Sequence, residues 1–424
     1  MKQRYTNLLA MATMVFALAG ISAQTPALHD GDRIVFYGDS ITAQRLYTRF
    51  VEDFVLTRYP QMHVTFFNAG VPGDTVNGGY TGDQATRLAR DLFPHHPTVV
   101  TIMLGMNDGY YMPFDPKYLG IFEDGYRNLV KTIQTREPEA RLTLVSTTPY
   151  DEVTHGTEFA HYSESVGRNA DFVRQYAASS HFSFADFHRT LLDLLESGHR
   201  SNDPLAALLV PDRIHPGEAA HWLMAAEVAR AWGVSPIVSA VHLNATTGKP
   251  VSIENAHLTD LTLKDGSMTW TEVDDALPLP IALYDGMTQF VLANSHFAAM
   301  DQEMLRVDHL SASQYTLKID DRTIGVFTRE QLSEGVNLAL LSTPMENQAR
   351  DVDGIEKERT GLDEAVFNLL IEDPKVDGAT EAAATIRSKD AALAQEQRKA
   401  AVPKPHHFSL APSQRDKKRP NDSD

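Results

Sequence analysis

One stretch constrains the fold of this chain more than any other: Thr98-Val99-Val100-Thr101-Ile102-Met103-Leu104, an unbroken run dominated by apolar and β-branched residues. A strand with one wet face alternates apolar and polar positions. An unbroken run needs cover on both faces, which is the situation of a strand inside a parallel sheet. Parallel neighbours cannot be joined by tight hairpins and need crossovers, usually helical. The sequence supplies them. Ile34–Tyr37 reads as a strand, Ile41–Tyr59 as a helix, His63–Asn68 as a strand and Gln84–Phe93 as a helix. Beyond the run, Tyr118–Thr135 is helical in spacing, Arg141–Ser146 a strand, Ser163–Ser179 a helix and Phe182–Asp186 a fifth strand. Strands alternating with helices imply right-handed βαβ units and a three-layer α/β/α domain over residues 28–235.

The chain has 424 residues, more than one such domain requires. After Trp232 the rhythm changes to short strand-like pieces at Ile237–Leu243, Ala256–Leu263, Met268–Val273, Phe290–Leu292 and Tyr315–Ile319. Asp265-Gly266 and Asp285-Gly286 mark turns between them. Residues 236–345 therefore read as a β-rich addition. Residues 346–402 read as a helical segment, rich in Ala, Glu, Lys, Arg and Gln from Leu362 on. Residues 403–424, with prolines, basic residues and Asn/Asp/Ser, read as a disordered tail.

The first 23 residues have the layout of a signal peptide, with Lys2 and Arg4 ahead of the apolar run Leu8–Gly20 and Ala23 at a possible cleavage point. The expectation is an exported protein, periplasmic or secreted, with no stable membrane span once the segment is removed. A retained N-terminal anchor is the alternative. With no cysteine, disulfides, thiol nucleophiles and cysteine-ligated metals are excluded. A net charge of −18 argues against nucleic acid as a partner.

Chemistry-bearing residues gather at the carboxyl ends of the first three strands, where open parallel sheets place their sites. The first strand runs into Gly38-Asp39-Ser40, just ahead of a helix; Ser40 reads equally as a nucleophile or an N-cap. The second ends in Gly70-Val71-Pro72-Gly73, where a backbone N–H could face an oxyanion or simply turn the chain. The third ends in Gly105-Met106-Asn107-Asp108, and the Asn107 amide is an oxyanion donor or an Asx-turn residue. A hydroxyl, a backbone amide and a side-chain amide at three neighbouring strand ends are more than one turn explains. Of 17 histidines, His215 is the best base. It stands ahead of Pro216, expected at the first helical position, with Asp212 three residues earlier to orient its ring.

These four blocks, in this order, resemble those of the SGNH, or GDSL-type, hydrolase family, over about residues 32–232. The resemblance implies a flavodoxin-like sheet of five parallel strands between helices and ester hydrolysis without metal or organic cofactor. It implies Ser40 as nucleophile, His215 as base, Asp212 as its partner, and Ser40, Gly73 and Asn107 as oxyanion donors. Asp39, Tyr110 and Tyr111 are candidates for binding substrate. The expected substrate is a small ester or acylated carbohydrate, with a short, acetyl-like acyl group. The alternatives are a lipolytic acylhydrolase or lysophospholipase on the same triad, and a non-catalytic surface binding module. The residues do not indicate an oligomeric state. His95-His96 reads as a surface loop and His221-Trp222 as helix packing.

Overall fold

A computed structural model describes residues 28–156, 161–372 and 377–413. The signal-peptide reading of residues 1–23 lies outside the described residues.

Strands β1 (Arg33–Gly38), β2 (Thr65–Gly70), β3 (Val99–Met103), β4 (Arg141–Val145) and β5 (Ser183–Ala185) form one sheet in the order β2-β1-β3-β4-β5. Every pairing is parallel. This is the flavodoxin-like order, and the direction of winding reverses between β1 and β3. The two-residue period of the strands sorts their side chains. Ile34 and Phe36 of β1 face one layer, built from α2 (Leu46–Arg58), α5 (Phe187–Arg200) and α6 (Glu218–Ala231). Val35 and Tyr37 face the other, built from α3 (Pro116–Arg136) and α4 (Tyr162–Ser180). All of β3 is buried, which accounts for its unbroken apolar run.

The helix expected over Ile41–Tyr59 is two helices. A short α1 (Ser40–Ala43) is separated from α2 by Arg45, whose backbone is left-handed at φ 60°. The Arg45 guanidinium donates to Ala43 O at 2.9 Å and to Asp363 at 2.7 Å. The second partner lies more than 300 residues away, so no local window contains the reason for the break.

The second half holds two further sheets. Strands β6 (Ile237–Asn244), β7 (Lys249–Glu254), β10 (Gln302–Asp308) and β13 (Val336–Asn337) lie in the order β13-β10-β6-β7. Strands β8 (Ala256–Lys264), β9 (Ser267–Asp274), β11 (Gln314–Ile319), β12 (Arg322–Thr328) and β14 (His406–Pro412) lie in the order β8-β9-β14-β11-β12. The two share a core containing Val241, Leu305, Trp270, Leu317 and Phe408. Two expectations are corrected. Phe290–Leu292 belongs to helix α7 (Gly286–Asn294), because the Asp285 carboxylate caps the N–H groups of Met287 and Thr288. The tail expected to be disordered from residue 403 contains β14, an inner strand between β9 and β11. Its Phe408 and Leu410 are buried, and the Phe408 ring stacks on Trp270. Long-range pairing overrides the local proline and charge signals there. Residues 414–424 lie outside the described residues. Helices α8 (Pro344–Phe367) and α9 (Ala379–Ala400) pack together as a hairpin beside α2 and the edge strand β2.

Candidate active site

The carboxyl end of β1 delivers Ser40 as the first residue of α1. The cap of that helix is Asp39, whose carboxylate accepts from Ile41 N–H at 3.0 Å. Ser40 is therefore free of capping duty. Its Oγ meets His215 Nε2 at 2.9 Å, and His215 Nδ1 meets Asp212 Oδ2 at 2.7 Å. A carboxylate can only accept, so the hydrogen bond places the imidazole proton on Nδ1 and leaves Nε2 to accept from the serine. Asp212 is itself held in place, because its Oδ1 accepts from the N–H groups of Ile214 at 2.9 Å and His215 at 2.7 Å. Partial burial pushes the Asp212 carboxyl up. The bonds from the His215 backbone and ring and from Ile214 outweigh it and hold the group below the ordinary carboxylate range. Arg213 braces the loop, donating to the carbonyls of His155 at 2.8 Å and Gly156 at 2.6 Å. Helix α6 begins at Glu218, two residues beyond the expected Pro216 start, so His215 sits wholly in the preceding loop.

His221 ties the two halves of this arrangement together, a role invisible in the sequence. It is fully buried on α6. Its Nδ1 accepts from Tyr47 N–H at 3.1 Å, so its proton is on Nε2, which lies 3.1 Å from Pro216 O and 3.2 Å from Gln44 Oε1. One ring thus bridges the helix pair that carries Ser40 and the carbonyl next to His215. Burial, with a smaller contribution from the charges of Arg49 and His215, lowers its pKa to about 3. In the unfolded chain a histidine titrates near 6.5, so below that pH the unfolded state takes up a proton the native state refuses. Stability tied to His221 is therefore whole above about pH 6.5 and is lost progressively as pH falls toward 3. Between pH 7 and pH 5 the loss is about 2 kcal/mol. Urea midpoints at the two pH values should show it, and His221→Gln should remove about that much of the slope; an unchanged slope would refute the assignment.

The candidate donors for an oxyanion come from the next two strand ends. Gly73 has φ 74°, a backbone that favours glycine, and its N–H finds no acceptor among the described residues. The following residue, Asp74, anchors the loop through buried Arg87, whose Nε donates at 2.5 Å and whose Nη2 donates to Ala69 O at 2.9 Å. Asn107 is nearly buried. One N–H of its amide donates to Asp74 O at 2.9 Å, leaving the second for a ligand. Its Oδ1 accepts from Tyr111 O–H at 2.8 Å, which sets which end of the amide points where. Burial pushes the Asp39 carboxyl up to about 8 and that of Asp108 up to about 7. Burial thus disfavours the charged form of two carboxyls adjacent in the chain to Ser40 and Asn107.

The structure brings Ser40, His215 and Asp212 into one hydrogen-bonded chain. The candidate substrate-binding residues divide. Asp39 is fully buried as the α1 cap, so it cannot touch a substrate. Tyr111 is 40% exposed, but its hydroxyl is committed to Asn107 and its ring lies 5.0 Å from that of Tyr162. Tyr110 is 57% exposed against Tyr118. Both carry left-handed backbones, at φ 54° and 57°, which cost energy for aromatic residues and recur at functional sites. Removing only the hydroxyl, in Tyr111→Phe, should lower kcat about tenfold with KM little changed, measured by initial rates on a p-nitrophenyl ester. His95, expected in a surface loop, is half-buried with its ring centroid 3.9 Å from that of Phe67.

Residues 36–223 match the GDSL-like lipase/acylhydrolase family. A stretch of 216 residues is 26% identical to an acetylxylan esterase of Geobacillus stearothermophilus, covering 46% of this chain and 91% of that protein. Among solved structures, a gut microbial diltiazem-metabolizing enzyme matches with a TM-score of 0.77 at 23% identity, over 92% of this chain and 100% of that one. The accessory sheets thus recur together with the α/β domain as one fold. Residues 36–223 thus form a GDSL-like lipase/acylhydrolase, or SGNH, domain, and the protein is a hydrolase of ester bonds.

Proposed function

We propose that this chain is an exported serine esterase that removes short acyl groups, acetyl foremost, from acylated carbohydrate. The observation that carries the catalytic part is the unbroken relay Ser40 Oγ–His215 Nε2–His215 Nδ1–Asp212 Oδ2. His215 Nε2 takes the Ser40 proton as Oγ attacks the acyl carbonyl. Asp212 holds the ring and stabilises the imidazolium that forms. The Gly73 N–H, the free Asn107 N–H and the Ser40 N–H receive the carbonyl oxygen as it becomes an oxyanion. On collapse the ester C–O bond breaks, and the departing alcohol takes the proton from His215. Water, activated by the same ring, then adds to the acyl-enzyme carbon and releases the carboxylic acid, returning the proton to Ser40.

The acyl and alcohol preferences rest on the acetylxylan esterase relative and on the exposed Tyr110 ring, an apolar face of the kind sugars stack on. Export rests on Lys2, Arg4 and the Leu8–Gly20 run. Among the described residues no helix is long and apolar enough to cross a membrane. The test is release of acetate against longer acids from acetylated glycans and from p-nitrophenyl esters of increasing chain length. Highest turnover on acetyl groups and on the glycans supports the reading. Rates that climb with acyl length transfer it to a lipolytic enzyme, and no release from any ester leaves a binding module. The mass of the N-terminal peptide from exported protein decides between cleavage after Ala23 and a retained anchor.

A further inference from the structure

A cavity of about 640 Å³ opens between the edge strand β2 and the α8–α9 hairpin. None of Ser40, Gly73, Asn107 or His215 lines it. Its origin is visible in the packing of α8. The first half of that helix is seated on the α/β domain, with Met345, Ala349 and Val352 buried and Val352 packed against Leu56. The second half stands off from β2 with its apolar residues only half covered. The space left between them opens to solvent. It falls within the range of small-molecule sites.

The walls state what would fit. Phe66 and Phe67 of β2 and Val366, Phe367, Leu370 and Ile386 of the hairpin region all border the space. The charged residues that line it, Arg387 apart, are paired: Arg359 pairs with Asp390 at 2.8 Å and with Glu52 and Glu356, and Arg45 pairs with Asp363 at 2.7 Å. Arg49 pairs with Asp353 at 3.2 Å and Arg90 with Asp91 at 2.6 Å. Arg387 is different. It is exposed, lines the same cavity, and has no hydrogen bond or ion pair among the described residues. His95 also borders the cavity, and burial, together with the Arg387 charge, lowers its pKa. A further pointer is independent of composition. The two π-helical segments among the described residues, Leu88–Leu92 and Asn368–Glu372, both contribute to the lining, through Arg90 and Asp91 and through Leu370 and Ile371. Such segments cost backbone hydrogen-bond geometry and occur frequently at functional sites.

We propose that this cavity is a binding site for an apolar carboxylate, its hydrocarbon body between Phe66, Phe67 and the α8–α9 hairpin and its carboxylate on Arg387. The site is separate from the ester-hydrolysing centre and does not depend on the identity of its substrate.

Isothermal titration calorimetry on the full chain tests it, with dodecanoate below its micelle concentration as the probe and dodecyltrimethylammonium and acetate as controls. The expected result is saturable one-to-one binding of dodecanoate only. Arg387→Glu should weaken it at least about tenfold, the loss expected for one charge-assisted contact. Val366→Trp, which fills the space, should abolish it. Arg387 is exposed, so its variant decides the matter if the tryptophan variant does not fold. Absence of saturable binding overturns the proposal. So does binding that survives both substitutions, which would place the carboxylate elsewhere, the product side of the catalytic centre included. Equal binding of the cationic amphiphile would also overturn it.

Discussion

Ser40→Ala should fold normally and hydrolyse p-nitrophenyl acetate about 10⁶-fold more slowly than the native protein, the scale seen when a triad serine is removed. Both halves of that expectation come from the geometry. The helix that Ser40 opens is capped by Asp39, and the Ser40 hydroxyl is engaged with His215 alone, so alanine costs no cap and leaves no buried polar group stranded. In the proposed mechanism the hydroxyl is the atom that forms the acyl-enzyme bond. His215→Ala should lose nearly as much, and the double variant little more than either single one, because the residues act as a unit. A serine-reactive phosphonate should label the native chain and not the Ser40 variant. A rate within tenfold of native in Ser40→Ala, or equal labelling, would remove Ser40 from the mechanism. A thermal unfolding midpoint that drops by many degrees would return it to the capping role.

What could be read from residues alone divides along physical lines. The parallel sheet was legible because β3 is buried on both faces and its composition must say so. The candidate site was legible because strand ends in such a sheet converge, so three short blocks in separate places imply one site. The departures have long-range causes. Arg45 breaks the expected helix while holding Asp363 from the other end of the chain. Phe408 and Leu410 form an inner strand through partners more than 80 residues away. Helix α7 is a miss of a different kind. The Asp285 cap was present in the sequence, but Asp285-Gly286 also reads as a hairpin turn, and the cap shows only with the helix that follows. His221 looked like ordinary helix packing, and it does pack; its three hydrogen-bonding partners belong to two segments brought together only by folding. Tyr111 was noticed for its ring, yet the structure employs its hydroxyl.

That hydroxyl makes the second large effect separable from simple loss of structure. Asn107→Ala should lower kcat by about 10²–10³, or about 2.7–4 kcal/mol of transition-state stabilisation, with KM nearly unchanged, because the amide meets full negative charge only as the oxyanion forms. The bond from Asn107 to Asp74 O adds a structural component, since its loss frees a carbonyl in the loop that carries Gly73. Tyr111→Phe distinguishes the two. It leaves the Asp74 contact in place and removes only the donor that fixes the amide. If Tyr111 acts through Asn107, the double variant should be no slower than Asn107→Ala alone, and the cycle should return a coupling close to the whole effect of Tyr111→Phe. If the losses add instead, Tyr111 works by touching substrate, and the sensitivity should then appear in KM and vary with the alcohol portion of the ester. Initial rates for the four proteins on two esters that share an acetyl group and differ in the alcohol decide between these outcomes.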